Sequence, residues 1–201
     1  MAEVKWMVGV EAPDDELGVL DDLFAAMPAY TRLRLDANGA WDRRTAGRWL
    51  GRCADRPIEF VEQPLAPDDR DGLTGLAADF PVTLALDESV SGAASAREWH
   101  DRGWRGVFVV KPALFGPLEA LASWVERTRA DIVLSSAIET ALGRAAILRF
   151  AVRHALTARA IGFGAGAIFG NRRWDGPDAT ALLDAGWSDA VDPAALWNAL
   201  S

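Results

Sequence analysis

"RLRLDANGAW", Arg32–Trp41, sets Leu33 and Leu35 against Arg34 and Asp36. That is the period-two alternation of a strand. The run then stops on Asp36, Asn38 and Gly39, residue types that turns favour. A strand that ends on a carboxylate delivers a charged group to a sheet edge. The fold is decided by whether the chain does this once or repeatedly.

It does so repeatedly. Strand-like runs recur at "VKWMVGV" (Val4–Val10), "IEFVEQP" (Ile58–Pro64), "VTLALDES" (Val82–Ser89), "GVFVVKPA" (Gly106–Ala113), "DIVLSSA" (Asp131–Ala137) and "ARAIGFGAG" (Ala158–Gly166). Helical stretches separate them. The first sets Leu17, Leu20, Phe24 and Met27 on one face, and the second, Asp42–Ala54, has Asp42 placed as its N-cap. Others are expected within Asp68–Asp79, near Ala94–Arg102, over Pro117–Arg129 with Pro117 in the first turn, and near Thr140–Ala155. The spacing therefore predicts about seven βα units. Strands apolar on both faces are covered by helices, so the sheet should be parallel. An open doubly wound sheet and a (β/α)8-type TIM barrel are the two closures available.

The strand ends favour the barrel. Asp36, Glu62, Asp87, Lys111 and Ser135 each stand at or near the C-terminal end of a strand, separated by 26, 25, 24 and 24 residues. In a barrel such groups converge on one pocket at the C-terminal face. In an open sheet they spread too far to share a ligand.

Composition narrows the partners. The net charge of −8 disfavours nucleic acid and anionic membrane surfaces. No apolar run approaches the ~18 residues of a membrane span, and the N-terminus lacks the pattern of a signal peptide. A single cysteine, Cys53, leaves no intrachain disulfide and no cysteine metal cluster, so a reduced cytosolic setting is expected. Three carboxylates on neighbouring strands repel unless a cation joins them. An all-oxygen set suits a hard divalent ion, Mg2+ above all, which leaves positions open for substrate oxygens. A nearby lysine then serves as acid, base or cation.

The motifs "LDAN", "FVEQP", "ALDES", "VVKPA" and "LSSAIETALGR", in this order and spacing, resemble the barrel domain of the enolase superfamily from about Val4 to Gly166. Within it, the opening "VKW", "SSAIETALGRAA" and "IGFGAGAIF" look most like the o-succinylbenzoate synthases of menaquinone and phylloquinone biosynthesis. The resemblance implies Asp36, Glu62 and Asp87 as ligands of Mg2+, with Mn2+ as an alternative. Gln63 and Glu88 alternate to the other face. It implies a small carboxylate substrate, a cyclohexadiene carboxylate bearing a succinyl group and a hydroxyl, which loses water after proton removal. Lys111 matches the lysine of the family's sixth strand, which faces the substrate as a cation. Arg34 and Asn38 share the face of Asp36. Ser135 and Ser136 would hold a carboxylate, and Gly162 opens the glycine turn beside the succinyl tail.

Two departures accompany the resemblance. Family members carry a capping domain and a first barrel strand before the segment matched here, so the chain reads as incomplete at its N-terminus. Open strand edges lead to the expectation of a homo-oligomer or of pairing with the missing segment. The family also has Lys-x-Lys on its second strand, the second lysine being the acid–base residue. Here the segment is Lys5-Trp6-Met7, and methionine cannot accept a proton. Lys5 has the right facing but starts two residues deeper. Three readings follow: a synthase-like lyase, a barrel that binds without catalysis, and another member such as a racemase, dipeptide epimerase or muconate cycloisomerase.

The barrel domain is expected over 1–170, with 171–201 as a tail held by Trp174, Trp187 and Trp197. His100, His154, Trp49 and Trp124 read as structural. Glu139 either caps the helix that follows it or orients a site group.

Overall fold

The computed structural model describes residues 2–163, 169–170, 172–175 and 191–198. Strands β1 (Ala2–Met7), β2 (Thr31–Asp36), β3 (Ile58–Glu62), β4 (Leu84–Leu86), β5 (Val107–Val110) and β6 (Ile132–Leu134) form a sheet in the order β1-β2-β3-β4-β5-β6. Pairing is parallel from β1 through β5. Helices α1 (Pro13–Ala26), α2 (Arg43–Cys53), α3 (Arg70–Asp79), α4 (Ala93–Asp101), α5 (Pro112–Phe115), α6 (Leu118–Thr128) and α7 (Ala141–Arg153) follow the strands. Short helices α8 (Arg172–Asp175) and α9 (Pro193–Asn198) come last. This is the sequential α/β order of a (β/α) barrel part. Of the expected seventh strand, the described residues show the bridge of Ser135 to Gly162, and residues 164–168 lie outside the described residues. Among the described residues, no helix is long and apolar enough to cross a membrane.

Two compact units divide the chain, Met1–Val109 and Val110–Ser201. In the first, β2 shows how local sequence makes the element. Leu33 and Leu35 are fully buried on one face, and Arg34 and Asp36 are buried on the other. The Asp36 carboxylate then accepts the backbone N–H of Asn38 at 3.0 Å. Asn38 and Gly39 take positive φ of 46° and 72°. The acid-amide-glycine ending is thus an Asx-type turn into left-handed backbone, which asparagine tolerates and glycine adopts freely. A Cβ on Gly39 would meet Leu65 O at 3.3 Å, so the turn also lies close against the next loop.

Helix α2 begins as expected. Asp42 accepts from Thr45 N at 2.7 Å, satisfying one of the orphan donors of the first turn. Its buried face is Ala46, Trp49, Leu50 and Cys53, the i, i+3, i+4, i+7 stripe of an amphipathic helix. Trp49 stacks on Trp41 with centroids 4.9 Å apart and meets the edge of Trp6 at 6.0 Å. Asp69 caps α3 through Gly72 N at 3.0 Å. In α1, Leu20 is buried as its spacing predicts, but so is Glu16. Glu16 accepts backbone N–H groups from Gly9, Val10 and Glu11 at 2.9–3.1 Å and so fixes the loop that leaves β1.

In the second unit, Trp124 is buried on α6 and packs on Phe115. Ala141 and Ala145 of α7 cluster with Val191, and Trp174 packs against them. Trp197, by contrast, is 73 % exposed. Its position at the C-terminal turn of α9 leaves its ring in solvent. Trp187 lies outside the described residues.

Candidate active site

The parallel register aligns the acids. Met7 pairs with Asp36, Asp36 with Glu62, and Glu62 with Ala85, two residues before Asp87. Asp36, Glu62 and Asp87 are all buried, whereas Glu88 beside Asp87 is exposed. Lys5 pairs in register with Arg34, one inward-facing step below the acids. Its long stem climbs that step. Lys5 Nζ lies 2.7 Å from Asp36 Oδ2 and 3.0 Å from each oxygen of Glu62.

Electrostatics follow from burial. Burial pushes the Glu62 carboxyl up from its ordinary 4.5 to about 8; the ammonium of Lys5 pulls it down, and the charges of Asp36 and Asp87 push it up again. For Lys5, burial works against the charge, but Glu62 and Asp36 outweigh it and raise its pKa. Lys5 therefore stands as an ammonium that holds its proton instead of accepting one. Between its ordinary 4.5 and its raised folded value of about 8, the carboxyl binds more proton in the folded chain than in the unfolded one. The folded state holds more protons across that window, so stability should fall as pH rises from about 5 to 8. Urea midpoints of metal-free protein across this range should show the decline, and Glu62→Gln should flatten it; a midpoint that rises with pH would contradict the assignment.

Arg34 lies on the same face but is engaged elsewhere. Its Nε donates to Glu59 Oε2 at 2.6 Å, and its guanidinium covers the Phe60 ring at 4.9 Å. A register shift between Leu33 and Arg34 leaves Glu59 as the extra residue of β3. Such a bulge re-aims a side chain, which brings Glu59 onto Arg34. Asn38 is exposed beyond β2, and its side-chain N–H approaches Met7 Sδ at 3.9 Å.

Gln63 is the residue that alternation alone undervalued. It is fully buried with a positive φ of 38°. Its side-chain oxygen accepts from Asp87 N and Ser89 N at 3.0 and 3.1 Å, and its amide donates to Leu65 O and Ser89 Oγ, both at 2.9 Å. It thereby fixes the backbone that carries Asp87. The signal was a fully amide-bearing residue between a buried acid and a proline, with no charge to announce it.

The remaining groups belong to the second unit. Lys111 is half-buried at the start of α5. Ser135 Oγ donates to Gly162 O at 3.0 Å, and Gly162 N donates to Leu134 O at 2.8 Å. The serine hydroxyl thus ties the glycine turn to the end of β6. Ser136 is half-buried beside it. Glu139 does not cap α7: its carboxylate accepts from Ala137 N at 2.8 Å and so braces the loop before the helix.

Among the described residues, no three His, Cys, Asp or Glu side chains are gathered as they stand into a metal-binding group. The donor chemistry nevertheless fits a hard cation. Buried carboxylates head adjacent strands, and a cation, the Lys5 ammonium, already sits among their oxygens.

Residues 1–165 match the model of the enolase C-terminal domain-like family. The chain belongs to that family. It is 49 % identical over 148 residues to an o-succinylbenzoate synthase of Thermosynechococcus vestitus, covering 71 % of this chain and 46 % of the relative. A chloromuconate cycloisomerase of Pseudomonas putida is 38 % identical over 94 residues, 47 % of this chain and 25 % of that one. Among solved structures, the o-succinylbenzoate synthase of Thermosynechococcus elongatus BP-1, complexed with Mg in the active site, superposes with a TM-score of 0.72 at 44 % identity, covering 82 % of this chain and 52 % of that one. The chain spans about half the length of these synthases.

Proposed function

We propose that this family member carries the metal half of an o-succinylbenzoate synthase-type lyase, acting in the cytosol in menaquinone or phylloquinone synthesis. The reaction would eliminate water from a succinyl-hydroxycyclohexadiene carboxylate. The observation that carries the reading is the set of buried acids at the ends of adjacent strands in a chain 49 % identical to such a synthase over 148 residues. Asp36, Glu62 and Asp87 would hold Mg2+, or Mn2+ in its place. Bound there, the ion would stabilise negative charge developing on the substrate carboxylate when the adjacent proton leaves. Gln63 would keep Asp87 aimed. Lys111 would face the substrate ring as a cation. Arg34, clamped by Glu59, would add positive field below the acids. Asn38, Ser135, Ser136 and the turn at Gly162 would receive the polar ends of the substrate.

Proton abstraction is the weak point. Met7 stands where the family's acid–base lysine stands, and Lys5 holds its proton between carboxylates. Met7 favours a second reading in which the chain binds metal and carboxylate without turnover. The match to a chloromuconate cycloisomerase keeps other reactions of the family as a third.

The metal is tested first. At free Mg2+ or Mn2+ 100-fold above Kd, stability should rise by about 2.7 kcal/mol, and Asp87→Asn should remove most of that gain. Thermal melts with and without metal measure it; a parent Tm indifferent to either ion would sink the metal assignment. An ultraviolet assay of the dehydration, with Mg2+ present, then separates the lyase from the binding-only reading.

A further inference from the structure

Lys5 makes three close contacts with carboxylate oxygens, one from Asp36 and two from Glu62, all within 3.0 Å. A magnesium ion bonds oxygens at about 2.0–2.1 Å and would need those same lone pairs. An ammonium and a dication cannot both sit among them without strong repulsion. Resting on the reading of Asp36, Glu62 and Asp87 as metal ligands, we infer that Lys5 is a tethered counter-ion occupying the cation position, and that divalent metal binds by displacing it.

The surroundings allow the displacement. The Lys5 side chain is 37 % exposed. Strand β1 pairs with β2 and stands at the end of the strand order, and its Val4 and Met7 are 44 % and 50 % exposed. A flexible four-carbon stem rooted there can swing its charge into solvent. Arg34 is the contrast. It shares the face, but its side chain is 5 % exposed and it is clamped to Glu59 at 2.6 Å, so it cannot leave. One cation is built to stay and the other to move. In the metal-free chain Lys5 then offsets the mutual repulsion of the acids and keeps them folded inward. In the loaded chain its charge is outside.

Two ligands that compete for one set of oxygens are linked, so removing one tightens the other. Lys5→Met keeps an unbranched stem of similar volume without the charge. Mn2+ binding to the full chain, followed by the electron paramagnetic resonance signal of free Mn2+, should show Kd falling by at least ~5-fold in the variant, within the usual range of coupling between sites. The metal-free Tm should fall at the same time. Lys5→Gln, which retains hydrogen bonding, should shift Kd in the same direction and serves if the methionine variant folds poorly. Lys5→Arg should bind Mn2+ no more tightly than the parent. Mn2+ binding that is lost in Asp87→Asn, yet is unchanged or weakened in both neutral Lys5 variants, would overturn the inference and leave the ligand assignment intact. No Mn2+ binding in the parent or in either variant, or binding indifferent to Asp87→Asn, would overturn both.

Discussion

Met7→Lys should raise dehydration turnover by at least ~10²-fold. Met7 lies level with Asp36 in the β1–β2 register, on the same strand face as Lys5, and is half exposed. A lysine there would reach the mouth of the acid cluster, where a substrate carboxylate would present its neighbouring proton. Lys5 is rooted two residues away on the same strand, and a like charge nearby lowers a lysine's pKa toward the value a base needs. General acid–base groups contribute typically 10²–10⁴-fold, about 2.7–5.5 kcal/mol of barrier. The same amine would accept the proton and assist departure of the hydroxide, so the upper part of that range is in reach. Methionine and lysine are both long and unbranched, and Met7 is half exposed with its sulfur 3.9 Å from the Asn38 side-chain amide, so the fold should tolerate the change. The comparison belongs in this chain and in its fusion to the remaining half of the Thermosynechococcus synthase. Turnover in the unmodified fusion at the level of the variant would show that another group is the base. No gain in a folded, metal-binding variant would mean that the β1 register or the choice of reaction is wrong.

Glu59→Ala should cost about 3–5 kcal/mol of stability, the usual loss when one partner of a buried ion pair is removed. Both members of the pair are out of water, at 5 % and 0 % side-chain exposure, with Nε and Oε2 2.6 Å apart. Alanine takes the Glu59 carboxylate away from a guanidinium that lies inside the sheet over the Phe60 ring. A domain holds only about 5–15 kcal/mol in total, so the variant should lie near the edge of folding. The double substitution Arg34→Met with Glu59→Leu removes both charges and fills similar volume, and should recover most of the loss. Urea unfolding of the parent, the single and the double variant decides it. A single variant within ~1 kcal/mol of the parent would show that Arg34 finds equivalent partners, and that the bulge at Glu59 has another purpose.

Much of this was legible along the chain because it is local. Leucines alternating with Arg34 and Asp36 specify a strand with one apolar face, whatever surrounds it. Asp42 and the stripe Ala46, Trp49, Leu50 fix the start and the inner face of α2. The even spacing of strand ends fixes a sequential parallel sheet, since each crossover returns the chain to the same edge. Motif by motif, the residues also placed the chain in the family that the comparison of residues 1–165 shows.

What the tertiary structure alone decided is pairing across strands. No local pattern shows that Lys5, rooted one step below the acids, reaches up to Asp36 and Glu62, because that depends on the β1–β2 register and on the length of a stem lying along the strand. Nor does it show that Arg34 turns to Glu59, which a shifted register carries onto its face against simple alternation. Gln63 looked inert because an uncharged amide gives no signal until its partners, Asp87 N and Ser89 N of the loop after β4, are brought beside it. Sequence periodicity specifies which face a residue takes; which charge meets which is settled by distances of 3 Å between strands about 25 residues apart, and those only the folded sheet sets.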